Sequence, residues 1–170
     1  EVCHITWQRD DEFQLGSGRP SKRRGNAVKS EQRVKISGIG GYLPARRLTN
    51  DDQARTLDTS DEWIVSHTGI SARHLMAEDE CTTDMAEQAA RAALARAGVA
   101  GADLGLIVVA TSTADYGGFP SNACLLQARL GATEAAAFDL GAACTGFVYA
   151  LEVARGLLLC HTTDRPALVV

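Results

Sequence analysis

The stretch from Ala135 to Cys160 constrains this chain more than any other part of it. It opens on an apolar run, Ala135-Ala-Ala-Phe-Asp-Leu140, suited to a buried strand. It closes on Phe147, Leu151, Ala154 and Leu158, whose spacing lines one face of a helix. Between the two sits Gly141-Ala-Ala-Cys-Thr-Gly146. A backbone that reverses from strand to helix within so few residues needs small side chains, and these leave open space above the sulfur of Cys144.

A thiol at the start of a helix meets free amide groups and the positive end of the helix dipole, which favour an anion. Such a position makes a cysteine more nucleophilic. A thiolate beside small residues and backbone amides suits acyl transfer: the sulfur takes the acyl group and the amides stabilise the oxyanion. The competing reading of Cys144 is a small buried hydrophobe; the glycine–alanine turn around it favours the nucleophile. The strand–turn–helix logic is that of a serine-hydrolase elbow, without the Gly-x-Ser-x-Gly signature.

With 170 residues the chain can bury a proper core as one domain. Its five cysteines (Cys3, Cys81, Cys124, Cys144, Cys160) show no C-x-x-C pair. An odd count without a signal peptide points to a reducing, cytoplasmic setting and not to a disulfide framework. Glu152 and Arg155 interrupt the longest apolar run, so no membrane span is expected. Residues 1–32 contain Gly16-Ser-Gly-Arg-Pro-Ser-Lys-Arg-Arg-Gly25, which has no hydrophobic period, and are expected to be a disordered or non-native leader without function. The first 33 residues carry seven Lys or Arg against five Asp or Glu, and the remainder ten against sixteen. A main body this acidic gives no support for nucleic-acid binding.

From Arg33 the pattern becomes regular. Val34–Gly38 alternates as a strand, Thr49 or Asn50 caps a short helix, and Asp58, Thr59 or Ser60 caps the next. Thr83 is placed to cap a longer helix that ends before Gly98. Leu106–Ala110 reads as a buried strand followed by a polar loop, Thr111–Gly118, where open α/β sheets place ligands. Pro120 and Ser121 start a helix that ends near Gly131, and Ala167–Val170 is a final strand. The alternation of strand and helix predicts a mostly parallel sheet with helices on its faces. From residue type alone, Trp63 is a packing residue and Phe119 a core anchor. Cys81 and Cys124 read as structural, and His67 and His74 lack the partners of a metal site.

Three blocks together, Asp58-Thr-Ser-Asp-Glu-Trp-Ile-Val-Ser-His-Thr-Gly-Ile70, Phe119-Pro-Ser121 and the Cys144 turn, resemble the beta-ketoacyl-acyl carrier protein synthase III family. These are condensing enzymes of the thiolase-like superfamily. The similarity covers about residues 33–170. It implies a thiolase-like fold of which this is the amino-terminal half, truncated, in an α/β architecture. It implies that Cys144 is the catalytic nucleophile and that Trp63 stacks on the adenine of coenzyme A, with Thr59 along the same entrance. His67 stands where the family usually has arginine and Ser71 where it often has a basic residue, while Arg73 is retained. Phe119 is implied to cross a dimer interface and close the partner's acyl pocket.

The activity implied is decarboxylative condensation of an acyl-coenzyme A with a malonyl-acyl carrier protein in fatty-acid biosynthesis, through an acyl-Cys144 enzyme. It needs no cofactor or metal, coenzyme A being carried on the substrate. The expected partners are acyl-coenzyme A, acyl carrier protein and a second copy of the chain. In the family, the histidine and asparagine that promote decarboxylation lie in the second half. None of His4, His67, His74 or His161 sits in a matching context. Opening on Glu1 and stopping inside an apolar strand, the chain is expected to be part of a longer protein. The alternatives are a starter-unit condensing enzyme for polyketides or quinolones with the same nucleophile, and a non-catalytic fragment or assembly module.

Overall fold

The computed structural model describes residues 2–10, 33–160 and 163–170. Its elements in chain order are β1 (Val2–Asp10), β2 (Arg33–Tyr42), β3 (Arg46–Thr49), α1 (Asn50–Ala54), α2 (Asp61–Thr68), β4 (Ala72–Leu75) and α3 (Thr82–Ala97). They continue with β5 (Leu106–Ala110), α4 (Asn122–Leu130), β6 (Ala136–Leu140), α5 (Gly146–Leu159) and β7 (Ala167–Val169). Strands β5, β6 and β7 run parallel, with Leu106 opposite both Ala136 and Ala167.

Because successive strand side chains point to opposite faces, the apolar runs of β5 and β7 feed two cores. Ile107, Val109 and Leu168 pack with Ala90 and Leu94 of α3 and Leu126 of α4. Leu106, Val108, Ala167 and Val169 pack with Ala150, Ala154 and Leu158 of α5. The spacing of α5 seen in the sequence is therefore the spacing of its contact with the sheet. Full burial of a side chain such as Leu126, Ile107 or Leu168 contributes about 1.5–3 kcal/mol.

The five-stranded sheet has the order β2-β1-β7-β5-β6. Strand β1 is antiparallel to both neighbours, pairing Ile5 with Ile39 of β2 and with Val169 of β7. Val2–Asp10 thus lies within the sheet, where a disordered or non-native leader over 1–32 was expected. The β-forming residues Val2, Ile5, Thr6 and Trp7 favour a strand. The glycine-, serine- and arginine-rich run that prompted the expectation falls in 11–32, outside the described residues.

Helix α3 lies directly on β2. A β-carbon at Gly38 would stand 2.4 Å from the Ala93 carbonyl oxygen, and one at Gly40 the same distance from that of Ala89. Glycine on the strand and alanine on the helix permit this approach. The helix begins two residues earlier than the Thr83 cap predicts: Cys81 is the capping position and its N–H donates to Asp84 Oδ2 at 2.7 Å. Thr83 lies buried in the first turn, with its hydroxyl on Asp115.

Between β2 and α3 the chain builds a small outlying unit. Strands β3 and β4 pair antiparallel, Thr49 opposite Ala72, and close off the segment containing α1 and α2. Thr49 and Asp52 form a reciprocal cap on α1, and Ser60 caps α2 through the Trp63 N–H. Asn50, 1% exposed, donates through Nδ2 to Asp61 Oδ1 and to the Ile70 carbonyl, both at 2.8 Å. One buried amide therefore ties α1 to the first residue of α2 and to the segment that follows α2.

Candidate active site

Strand β6 delivers the chain to Gly141 and Ala142, a single turn of 3-10 helix follows at Ala143–Thr145, and α5 starts at Gly146. Cys144 lies in that turn and is exposed; it is not a buried apolar thiol. Ala143, immediately before it, has φ 45° and is the one non-glycine residue with positive φ among those described. Side chains rarely adopt this conformation, and functional turns are where such strain is retained. A β-carbon at Gly141 would meet nothing closer than the Thr111 carbonyl oxygen at 4.0 Å, so the space on that side is open. The Thr145 hydroxyl and N–H both donate to the Ala142 carbonyl, at 2.9 and 3.1 Å. No side chain caps α5, which leaves its first-turn amides without a side-chain acceptor.

The other thiols sit differently. Cys81 is partly buried, and burial pushes its thiol up, helped by the hydrogen bond to Asp84. That environment suits an inert cysteine. Cys124 and Cys160 are exposed, as Cys144 is, so exposure alone does not separate the three. What separates them is the turn: Cys124 lies inside α4 and Cys160 at the carboxyl end of α5.

A second feature lies on the outlying unit. Gln53, Leu57, Asp58, Thr59, Trp63 and Ile64 line an open cavity of about 630 Å3. Trp63 is 58% exposed, so it is not a core packing residue. The His67 ring stacks on it, with centroids 4.3 Å apart and planes inclined by 23°. His67 Nδ1 is held 2.7 Å from the Trp63 carbonyl oxygen and 3.1 Å from Ser66 Oγ. The buried hydroxyl of Thr59 has no partner. Arg73, on β4, donates to Gln53 Oε1 at 2.5 Å and so reaches a residue of the same lining. Thr59, Trp63, His67 and Arg73, separate in sequence, are thus gathered on one surface. Gln53 was missed because a glutamine in a short helix carries no signal of its own.

Phe119 is 91% exposed and anchors no core of this chain. It follows Gly117 and Gly118, both with positive φ, at the end of the loop after β5. Thr111, Ser112, Thr113, Gly117 and Gly118 of this loop share a cavity of about 340 Å3 with Asp139 of β6. The loop of Phe119 and the strand leading to Cys144 are therefore neighbours. Among the described residues no cluster of three or more His, Cys, Asp or Glu gathers as for a metal ion, and no helix is long and apolar enough to cross a membrane.

No family model matches the chain. Beta-ketoacyl-[acyl-carrier-protein] synthase III of Xylella fastidiosa is 62% identical over 122 residues, which are 72% of this chain and 37% of that protein. The crystal structure of 3-oxoacyl-[acyl-carrier-protein] synthase III from Aquifex aeolicus superposes with a TM-score of 0.71 at 48% identity, covering 74% of this chain and 40% of that one. The relationship is to beta-ketoacyl-[acyl-carrier-protein] synthase III. The fold is the thiolase-like one of these synthases, in its amino-terminal half, with a helix-flanked sheet that is parallel over β5, β6 and β7 as the sequence predicts. A priming beta-ketosynthase of a polyketide biosynthetic pathway also superposes, with a TM-score of 0.69 at 36% identity over 72% of this chain and 36% of that one. The chain spans about two-fifths of the length of the synthases it matches.

Proposed function

We propose that the protein to which this chain belongs is a beta-ketoacyl-acyl carrier protein synthase III acting in fatty-acid biosynthesis. Cys144 is its nucleophile. The thiolate attacks the carbonyl of an acyl-coenzyme A, the coenzyme A thiolate leaves, and the acyl group remains as a thioester on the sulfur. A malonyl group on acyl carrier protein then loses carbon dioxide. Its carbanion attacks the acyl carbon and releases the Cys144 thiolate with a 3-oxoacyl-carrier product. The observation that carries this reading is the exposed cysteine in a strained turn between β6 and the uncapped start of α5. In this reading a backbone amide of the turn stabilises the oxyanion.

In the same reading the cavity beside Trp63 receives coenzyme A. The exposed indole offers a stacking surface for adenine, Thr59 lies along the same lining, and His67 and Arg73 supply donors toward phosphate. Phe119 reaches into a second copy of the protein and closes its acyl pocket. The protein works as a cytoplasmic homodimer without a cofactor of its own, and acyl carrier protein is its second partner.

The test is the release of coenzyme A when the protein meets an acyl-coenzyme A without a malonyl carrier. One equivalent per chain is expected, and none from Cys144→Ala. Full release by the alanine variant would remove Cys144 from the mechanism. A second reading, priming of a polyketide, draws on the likeness to the priming ketosynthase and keeps every role named above. It is distinguished by which carrier protein accepts the acyl group.

A further inference from the structure

The loop between β5 and α4 is held by carboxylates at two points, at Asp115 near its middle and at the start of α4. Asp139, in the otherwise apolar strand β6, accepts from two successive amides at the start of α4: Oδ2 from Asn122 N and Oδ1 from Ala123 N, both at 2.8 Å. The Asn122 side chain, fully buried, accepts from Asp115 N at 3.1 Å through Oδ1. Asp115 in turn accepts from Thr82 N at 2.9 Å, Thr83 N at 3.0 Å and the Thr83 hydroxyl at 2.5 Å, at the start of α3. Burial opposes ionisation of Asp115, yet the hydrogen bonds from Thr83 and Thr82 hold it below the ordinary carboxylate range. A continuous hydrogen-bonded chain thus runs from α3 through the loop to β6, and β6 leads into the turn of Cys144.

Phe119 stands between the two braced points and is itself 91% exposed. The two glycines before it would leave such a loop free to wander, and nothing in the core holds its ring. Charged hydrogen bonds to backbone amides are short and directional, and they fix a backbone more closely than apolar packing of one side chain would. An aspartate in a strand that is otherwise Ala-Ala-Phe-Leu costs desolvation, which its two amide partners offset.

We propose that Asp139 and Asp115 are positioning residues for acyl recognition, holding the loop that carries Phe119 in register with the Cys144 turn; this rests on the roles of Cys144 and Phe119 proposed above. They touch no substrate. They act by fixing where Phe119 projects, and so set which acyl lengths reach Cys144 of the partner subunit.

The test uses the full-length protein and the rate of Cys144 acylation by acetyl-, butyryl- and octanoyl-coenzyme A, followed by intact mass. Asp139→Asn keeps the volume but turns one acceptor into a donor facing an amide. It should change the octanoyl-to-acetyl rate ratio by about fivefold or more, as a displaced positioning group does. Phe119→Ala should change the same ratio, and adding Asp139→Asn to it should change the ratio no further, because the aspartate acts through the ring. Thr83→Val, which deletes one hydroxyl contact to Asp115 at constant volume, provides the same comparison should Asp139→Asn fail to fold. A variant that slows all three substrates by one factor, or whose effect on the ratio adds fully to that of Phe119→Ala, would overturn the proposal. If the unaltered protein carries no acyl group on Cys144, the functional reading falls and this inference with it. If it does, and the ratios do not move, only the brace falls.

Discussion

His67 covers one face of Trp63 and leaves the remaining indole surface to solvent, in a cavity lined also by Gln53 and Thr59. An imidazole offers a phosphate one donor where a guanidinium offers a planar fork of several. His67→Arg should therefore tighten coenzyme A binding by roughly threefold to tenfold, the size of one additional charge-assisted contact. Trp63→Ala should weaken it by about tenfold or more, since a base–aromatic stack is removed. Quenching of Trp63 fluorescence in a Trp7→Phe background measures the first, and calorimetry the second. An affinity unchanged by both would remove this cavity from the account. Which residues meet at this site was only partly legible in the sequence. The block around Trp63 stood out through the resemblance, whereas its exposure and its stack with His67 depend on how α2 is mounted, which residue type does not report. On type alone Trp63 and Phe119 belong in a core, and the structure exposes both.

Helix ends and apolar strands are the elements that could be read ahead of the structure. Ser60, Ser121, Gly98 and Gly131 stand at the caps their chemistry favours, and β5, β6 and β7 follow from short apolar runs. Strands β3 and β4 escaped notice because each has four residues, arginine-bearing and half-exposed, and each needs a partner far along the chain. The Thr83 cap was misjudged because Asp84 satisfies the amide of Cys81 first, while Thr83 turns to Asp115. The contact of α3 with β2 makes a direct prediction. Gly40→Ala places a β-carbon 2.4 Å from the Ala89 carbonyl oxygen, so backbone must shift. Overpacking of this kind costs about 1–3 kcal/mol or more in denaturant unfolding. A neutral substitution would mean that α3 does not sit this close. At the same helix start, Asp84 accepts from Cys81 and Arg129 and is held down to about 2 from its ordinary 3.8. A carboxyl whose folded value is depressed adds stability above its unfolded value. That stability is lost as pH falls from about 4 through about 2. The side chain is 38% exposed, so the effect is small, below about 1 kcal/mol. Asp84→Asn should flatten the loss of stability over this window; an unchanged acid slope would contradict the assignment.

At the scale of the whole molecule, the apolar surface left open is as informative as the core. Phe119 and Tyr116 project from the loop after β5, and Val148 and Tyr149 from the outer side of α5, all more than half exposed. Large apolar residues in such positions mark interaction surfaces. The chain should therefore associate at working concentration, and Phe119→Asp with Val148→Asp should shift light scattering toward the monomer; a sharply monomeric unaltered chain would contradict this. The two cores account for the sheet and its helices, and the Cys144 turn stands where β6 and α5 meet, at the end of the parallel strands. The central claim is that this turn, and not mere accessibility, makes one cysteine the acyl acceptor. Cys124 and Cys160 supply the control, because they are exposed as well. The chain is incubated with an acyl-coenzyme A, digested, and the acyl mass on each cysteine peptide followed over time. The acyl group should appear on Cys144 well before Cys124 or Cys160, and be discharged by hydroxylamine as a thioester is. Equal acylation of Cys144, Cys124 and Cys160 would contradict the account.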